Sequence, residues 1–576
     1  MSRFQPIYDI AELCARRGVN HAVLCPGSRC APLTIAFTRN PQIETKTFSD
    51  ERSAAFVALG TSQRTKAPCI LLCTSGSAAY NFAPAVAEAF FGQTPLLVFT
   101  ADRPAEWIAQ HDGQTIYQQQ IFGKHVKGSF ELPSDYQHPD AMWMINRIIN
   151  EAINLSIAAP AGPVHINAPF REPLYPKSND EITFSDTIRT IDAYPTIFDL
   201  NQEQRDFINE NFQKFNNILI VAGQEERNAP REDALHGLIQ RHDMPVVGDI
   251  ISNLHVIPRV IRHADVFLAH ASDEIKKSLQ PDLLITFGKS VISKHLKLFL
   301  RRYKPMEHWH FQEDGRVIDT YQSITHIFQV SATSAFQFLN SLERPSGFEG
   351  QKQKNYYNLW ENEERRTARA LAEFFPVPEM GELEIVRDIM RHLPEKANLH
   401  LANSMSVRYA NLIGLEAKYK NVEVFANRGT SGIDGCTSTA VGHCLDSALP
   451  NILITGDVAF FYDRNAFWHN YPLPNLRIVL LNNHGGVIFG IIDGPASLPE
   501  ADEYFITRQR LNARSLCDEF GFDHLKLDSK RKTKNLIRDF FDFDGRTKVL
   551  EIESDAVINK TIFENLKLKI KKNYES

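Results

Sequence analysis

Along this chain, apolar runs of strand length stop repeatedly at small or polar clusters, and a helical pattern follows each one. In the first third the runs fall at 21–24, 43–48, 68–73, 96–100 and 164–168, with helical patterns at 51–62 and 78–91 between them. CPGSR, TSGS and TADRP each follow a run directly. Runs apolar throughout suit strands buried on both faces, so the pattern predicts βαβ crossovers and mostly parallel sheets. The theme returns at 218–222, 245–248, 283–287 and 308–311. It returns again at 399–402, 422–426, 452–455, 478–481 and 548–552. A polar stretch at 176–195 and a charged stretch at 343–366 read as linkers, the second merging into a helix. The expected architecture is α/β, with three tandem open, mostly parallel-sheet domains at 1–178, 196–342 and 367–576.

A chain of 576 residues is too long for one core, which agrees with several domains. A net charge of −6 argues against a general nucleic-acid-binding surface. No apolar run approaches the roughly 20 residues needed to span a bilayer. The opening MSRFQPIYDIAELCARRG lacks a signal peptide's apolar core and reads as an amphipathic helix. Eight cysteines without a regular framework fit a reducing cytosol, so a cytoplasmic protein is expected. Cys69 and Cys73 would face one side of a strand, and Cys25 and Cys30 bracket PGSR. With no second pair at zinc spacing, buried thiols are the better reading. The C-terminal KLKIKKNYES reads as a solvated helix end.

The densest chemistry lies in ILITGDVAFFYDRNAFWHNYPLPNLRIVLLNNHGGVIF. One apolar run ends at Gly456-Asp457 and the next at Asn482-Asn483, so both polar clusters fall where buried parallel strands should end. In open α/β sheets that edge is where ligands bind. An Asp carboxylate, an Asn amide oxygen and a backbone carbonyl near glycine are hard oxygen donors. They suit a magnesium ion that leaves most of its octahedral shell to water and phosphate.

Other strand ends carry weaker signals. In FSDERSAA, Glu51 either complements a helix dipole, with Asp50 or Ser49 as cap, or projects into a site. In CTSGSAA, Ser75 and Gly76 open a helix whose N–H groups a ligand could approach, though such turns are common. NRGTSGIDG spaces its glycines as GxxGxxG rather than GxGxxG, and no acidic residue follows on a second strand, which disfavours a nicotinamide or flavin site. Ser28-Arg29, Arg103, Gln114, Lys294, Asn403-Ser404, Arg408 and Arg428 cluster at predicted strand ends. Any one could be surface charge; together they suit a polyanionic substrate, since guanidinium forks pair carboxylates bidentately.

GD followed one crossover later by Asn, a helix-opening Glu and three α/β units together resemble thiamine-diphosphate-dependent enzymes. CPGSRCAPLT, FSDERSAAFVALG, TSGSAAYNFAPAVAEA, TADRP, GPVHINAPFREPLY, ANSMSVR and NRGTSGIDG are similar to the branch of that family in menaquinone biosynthesis. The resemblance covers all three domains and is thinnest in the middle one. It implies thiamine diphosphate with Mg²⁺ (or Mn²⁺) held by Asp457, Asn483 and the Gly485 carbonyl. Glu51 would hydrogen-bond the aminopyrimidine and favour its imino tautomer, and Ile433 would keep the two cofactor rings bent. Ser75, Gly76, Ser404, Ser431 and Ile488 would complete the cofactor contacts.

The reaction implied is decarboxylation of 2-oxoglutarate and 1,4-addition of the succinyl carbanion equivalent to isochorismate. Arg408 and Arg428, with Asn403 and Ser404, would take the 2-oxoglutarate side. Ser28, Arg29, Arg103, Gln114 and Lys294 would take isochorismate, with Ile488 and Phe489 as apolar wall. Glu51, Gln114, Arg408 and Arg428 are the expected catalytic set. A homodimer or homotetramer with sites between subunits is implied. His295 stands where some relatives carry a second cation, and Val458 replaces the last glycine of GDG. The nearest alternative is another thiamine-diphosphate 2-keto-acid decarboxylase or carboligase of acetolactate-synthase type; a more distant one is a non-catalytic nucleotide- or flavin-binding protein.

Overall fold

Four buried inner strands set the frame of the first sheet, and its two edge strands are more polar. The computed structural model describes residues 4–177, 181–194, 196–343, 348–491 and 494–575. The first sheet contains β1 (His21–Leu24), β2 (Glu44–Thr47), β3 (Cys69–Cys73), β4 (Leu96–Asp102), β5 (Ser129–Glu131) and β6 (Pro163–Pro169). Their order is β2-β1-β3-β4-β6-β5, and every pair is parallel. β3, β4 and β6 are buried along their whole length. Successive crossovers run in opposite directions from β1, so the loops after β1 and β3 border a crevice at the topological switch point.

The second sheet contains β7 (Ile218–Ala222), β8 (Val246–Gly248), β9 (Leu283–Phe287), β10 (Glu307–Gln312) and β11 (His326–Gln329), in the order β11-β10-β9-β7-β8. Its own switch point is filled by its own backbone. Gly223 N–H donates to Phe287 O at 2.8 Å, Gln224 N–H to Ser290 O at 2.8 Å and Lys289 N–H to Gln224 O at 3.1 Å. The third sheet contains β12 (Lys396–Leu401), β13 (Asn421–Phe425), β14 (Asn451–Gly456), β15 (Leu476–Asn482), β16 (Asp523–Leu527) and β17 (Lys548–Glu553). Their order is β13-β12-β14-β15-β17-β16, with β12/β13, β15/β17 and β16/β17 parallel. Three parallel-strand α/β sheets therefore carry the chain, as the alternating pattern predicts.

The chain forms two compact units. The first holds the residues up to 195 together with Asn427–Asn451 and Ala459–Leu476; the second holds Thr196–Ala426, Ile452–Val458 and the residues from Arg477 onward. Within the first unit, helix Cys436–Cys444 lies against helix Glu51–Thr65. A Cβ at Gly60 would stand 2.1 Å from the Thr439 carbonyl oxygen, and one at Gly442 would stand 2.2 Å from that of Val57. Glycine at both positions is what allows backbone to meet backbone.

Three strands escape the sequence pattern: β5, β11 and β16. Each is an edge strand with polar or half-exposed residues, so no apolar run marks it. The expected helix at 78–91 is two, Ser77–Asn81 and Ala83–Gly92, with Phe82 between them. The predicted linker at 343–366 is mostly helix, Phe348–Phe374, with Tyr356, Tyr357 and Trp360 buried; residues 344–347 lie outside the described residues. Residues 178–180 and 195 of the first linker also lie outside them. The basic C-terminal segment is the end of helix Ala556–Glu575, with Lys567, Leu568, Lys571 and Lys572 exposed; its other face buries Ile570, and the Tyr574 hydroxyl donates to Glu363 at 2.6 Å. No helix among the described residues is long and apolar enough to cross a membrane.

His165 on β6 bonds Thr100 Oγ1 through Nε2 at 2.8 Å and Ser129 Oγ through Nδ1 at 3.0 Å, linking β4, β6 and β5. Burial pushes its imidazole down to about 3. An unfolded histidine titrates near 6.5, so below that pH the unfolded chain binds a proton that the folded one refuses. Stability from this group is therefore complete above about pH 6.5 and lost as pH falls, by about 2 kcal/mol at pH 5. Urea unfolding at pH 7.5 and pH 5 should show that loss, with a shallower pH dependence in His165→Gln.

Candidate active site

The first unit presents the edge of its sheet around the β1/β3 crevice. Gly76 N–H donates to Gln118 Oε1 at 2.8 Å, while Gln118 Nε2 reaches Ala101 O at 3.0 Å and Asn167 Oδ1 at 3.1 Å. This buried carboxamide thus braces the loop after β3 against β4 and β6. Gln114 has a left-handed backbone, φ 57°, and its Cα stands 3.3 Å from where a Cβ on Gly76 would be. Ser75 Oγ is buried with no hydrogen-bond partner among the described residues.

The arginines of this edge stand close together. Arg29 donates to Phe170 O at 2.9 Å and to Glu172 Oε1 at 3.3 Å. Arg103 donates to Gly113 O at 2.9 Å and stands 3.1 Å from Asp112 Oδ2. Burial, and then the charge of Arg103, hold the Arg29 guanidinium below its ordinary value. Two neighbouring cations at a sheet edge favour an anionic ligand. Ser28 is exposed on the same loop as Arg29.

Glu51 opens a helix that Asp50 caps, as one of its two readings expects. Asp50 caps helix Glu51–Thr65, its carboxylate accepting from Ser53 N–H at 3.0 Å, and Asn465 Nδ2 holds Asp50 Oδ2 at 2.7 Å. Glu51 lies in the first turn of that helix, and Asn81 Nδ2 donates to its Oε2 at 3.2 Å. Its charge also helps raise the buried Cys25 thiol, though burial is the larger cause. Glu51 thus faces the residues that follow β1 and β3.

The loop 427–435 is held in the same unit by a carboxylate that sequence reasoning did not find. Glu88, nearly buried on helix Ala83–Gly92, accepts from Gly429 N–H at 2.7 Å, Thr430 N–H at 2.6 Å and Thr430 Oγ1 at 2.7 Å. Arg428 and Ile433 are half-buried on this loop, and Ser431 is exposed with φ 63°.

In the second unit, the crevice of the third sheet lies between β12 and β14. Asn403 and Ser404 follow β12, and Asp457 follows β14. Asn403 is buried; Ser404 has φ 69° and its carbonyl accepts from Arg408 at 2.6 Å. Arg408 is otherwise exposed. Asp457 is buried, and Oδ2 accepts from Gln509 Nε2 at 2.7 Å. Burial raises its carboxyl above the ordinary range, opposed by Gln509 and by the backbone N–H groups of Val458 and Gly485. Gly485 N–H and Asp457 are therefore neighbours.

Between them, Asn483 is buried, with Nδ2 donating to Glu382 Oε1 at 2.8 Å and Oδ1 without a partner among the described residues. His484 has φ 61°, and its Nε2 meets Glu553 Oε1 at 2.6 Å. A Cβ at Gly485 would stand 2.8 Å from Ile506 O, so glycine is required for the bend. The Gly485 carbonyl accepts from Val487 N–H at 3.0 Å and keeps its second lone pair. Nothing lies within 4 Å of a Cβ built on Gly456. Asp457, Asn483 and Gly485 thus offer hard oxygens on one edge, and the orphaned Asn483 Oδ1 is what a divalent cation's ligand looks like. Burial pushes the Glu382 carboxyl up to about 7 against its bonds to Asn483 and Ser554.

The remaining expected residues of this unit are placed on two segments. Ile488 and Phe489 are half-buried on the short helix Ile488–Ile491, with the Phe489 ring 6.0 Å from that of Phe505. Lys294 is exposed at the start of helix Lys294–Arg302; Asp249 fixes the preceding Ser293, accepting from its N–H at 3.0 Å. His295 is engaged by Asp265, which accepts its N–H at 2.6 Å. All eight cysteines are buried and free. One side-chain cluster with metal-ligand spacing elsewhere, His21, Glu44 and Asp446, already holds Lys46, whose Nζ lies 3.1 Å and 2.8 Å from the two carboxylates.

Residues 8–121 match the family described as thiamine pyrophosphate enzyme, N-terminal TPP binding domain, and residues 201–401 match the middle domain of thiamine pyrophosphate enzymes. The fold and these matches define a thiamine-pyrophosphate-dependent enzyme. Among similar proteins, the 2-succinyl-5-enolpyruvyl-6-hydroxy-3-cyclohexene-1-carboxylate synthase of Cytophaga hutchinsonii is 44% identical over 99% of this chain and 100% of its own length. Synthases of the same name from Flavobacterium johnsoniae (96% of this chain, 97% of their own) and Porphyromonas gingivalis (96% and 95%) are each 35% identical. The chain belongs to the 2-succinyl-5-enolpyruvyl-6-hydroxy-3-cyclohexene-1-carboxylate synthase family.

Removing the Glu88 carboxylate leaves two N–H groups and a hydroxyl without their acceptor. With charge-assisted hydrogen bonds worth about 1.5–3 kcal/mol each and non-additive, Glu88→Ala should lose about 2–4 kcal/mol and Glu88→Gln about half of that. Chemical denaturation midpoints of the full chain check the order.

Proposed function

We propose that this chain decarboxylates 2-oxoglutarate and adds the succinyl carbanion equivalent in 1,4 fashion to isochorismate. The products are 2-succinyl-5-enolpyruvyl-6-hydroxy-3-cyclohexene-1-carboxylate and CO₂, in menaquinone biosynthesis. The observation that carries this reading is full-length relationship, at 44% identity, to a synthase of that name. Bound thiamine diphosphate supplies a C2 carbanion for attack on the keto carbon and a thiazolium that holds the electrons CO₂ leaves behind.

The residues of the chain divide the remaining work. Glu51, in the first turn of the helix that Asp50 caps, holds a proton at the aminopyrimidine ring. Ile433 wedges the two rings, and Ser75, Gly76, Ser404, Ser431 and Ile488 line them. Asp457, Asn483 and the Gly485 carbonyl hold Mg²⁺ or Mn²⁺ against the diphosphate, a role supported by the unpartnered Asn483 Oδ1. Arg408 and Arg428, with Asn403 and Ser404, orient the carboxylates of 2-oxoglutarate. Ser28, Arg29, Arg103, Gln114 and Lys294 orient isochorismate, and Phe489 excludes water on the apolar side. The assembly proposed is a homodimer or homotetramer with sites between subunits, working in the cytoplasm.

Purified protein with thiamine diphosphate, Mg²⁺ and 2-oxoglutarate should consume isochorismate only when every component is present. Decarboxylation that leaves isochorismate untouched would give the acceptor role to another compound. Glu51→Gln should still bind cofactor while turnover falls about 10²–10⁴-fold, the range of a lost acid–base group. Asp457→Ala should instead lose Mg²⁺-dependent cofactor binding, measured by calorimetry; full activity in both variants would overturn the assignment.

A further inference from the structure

Asn483 can expose its amide oxygen in one direction only because something else holds its amide nitrogen. That acceptor is Glu382 Oε1, 2.8 Å from Nδ2. Oε1 of the ionised carboxyl accepts and does not donate, so the NH₂ faces it and Oδ1 faces away. The flipped amide would turn its oxygen toward the carboxylate and its NH₂ toward the site, where it would repel a cation. Oδ1 is buried and unpartnered among the described residues, an arrangement that is unfavourable unless a ligand completes it.

Glu382 is itself held from several sides. It is 0% exposed, and Ser554 Oγ donates to its Oε1 at 2.8 Å. Asn559 Nδ2 donates to Ser554 Oγ at 3.0 Å, while Asn559 Oδ1 accepts the backbone N–H of Glu382 at 2.9 Å, closing a ring. Ser554 N–H donates to the carbonyl of Asn482 at 3.0 Å, so the same ring grips the residue before Asn483. The ring joins the start of helix Glu382–Met390, the end of β15 and the turn after β17, segments far apart in sequence. A carboxylate serving only its own helix would not need to face Asn483.

We propose that Glu382 is a positioning residue that locks the Asn483 amide with Oδ1 outward and thereby sets the affinity of this edge for a divalent cation. The inference rests on the reading of Asp457, Asn483 and Gly485 as the metal-binding edge. Glu382 touches neither cation nor substrate; it acts through the orientation and polarisation of the amide, as outer partners of metal ligands do.

Mn²⁺ titrated into the full chain with excess thiamine diphosphate, with free Mn²⁺ read by electron paramagnetic resonance, tests this without turnover. Glu382→Gln keeps the shape but can donate as well as accept, so both amide orientations become available to Asn483. Its apparent Kd for Mn²⁺ should rise about 10–100-fold. Its melting temperature without metal and cofactor should stay near that of the parent, and kcat should recover at saturating Mn²⁺. If Glu382→Gln does not fold, Ser554→Ala, which loosens the ring and keeps the carboxylate, should raise the Kd about three- to tenfold. Unchanged Mn²⁺ affinity in the folded variant overturns the inference. Parent protein whose Mn²⁺ binding is indifferent to Asp457→Ala overturns the metal reading beneath it instead.

Discussion

Backbone meeting backbone at Gly60 and Gly442 is the constraint on which the first unit depends. It lets helix Cys436–Cys444 lie against helix Glu51–Thr65, so a loop from the last third of the chain is built into the body that carries Glu51. A methyl group at either glycine would stand little more than 2 Å from a carbonyl oxygen. Helix Glu51–Thr65 shows why its sequence reads poorly as amphipathic: it is buried on several sides, with Ala54, Ala55, Val57, Ala58 and Leu59 all inaccessible.

Buried carboxylates then fix the loops that the sheets leave open. Glu88 takes three donors from the loop at 429–430. Asp463 takes the N–H and hydroxyl of Ser438, each at 2.7 Å, and burial pushes its carboxyl up to about 7. Asp249 anchors Ser293, and Glu382 anchors Asn483. Each bonds residues remote in sequence, so each converts a flexible polar turn into a fixed one. The cost of burying such a group is offset only while its donors are in place, which makes these loops specific rather than merely stable.

The middle sheet shows the same kind of switch point with its loops bonded to each other. Its switch-point loops bond each other through Gly223, Gln224, Lys289 and Ser290, filling the crevice that the first and third sheets keep at β1/β3 and β12/β14. The backbone donors of Gly223 and Gln224 are spent on β9 and the loop that follows it.

Much of the frame was legible because parallel strands buried on both faces leave uninterrupted apolar runs, and because the turns after them need small or polar residues. Hence β1, β3, β4, β7 and β9 were visible, and so were Asp457, Asn483 and Glu51 as strand-end residues. Polar edge strands β5, β11 and β16 were not, since nothing apolar announces them. The partners of the site residues were equally hidden: Gln118 for Gly76, Glu88 for Thr430, Gln509 for Asp457 and Glu382 for Asn483. Sequence by itself determined which residue types stand at the sheet edges, because local periodicity and turn chemistry act over a few residues. Only the tertiary structure decided which of their atoms are held and which are left to a ligand, because those hydrogen bonds join residues that crossovers of tens to hundreds of positions bring together.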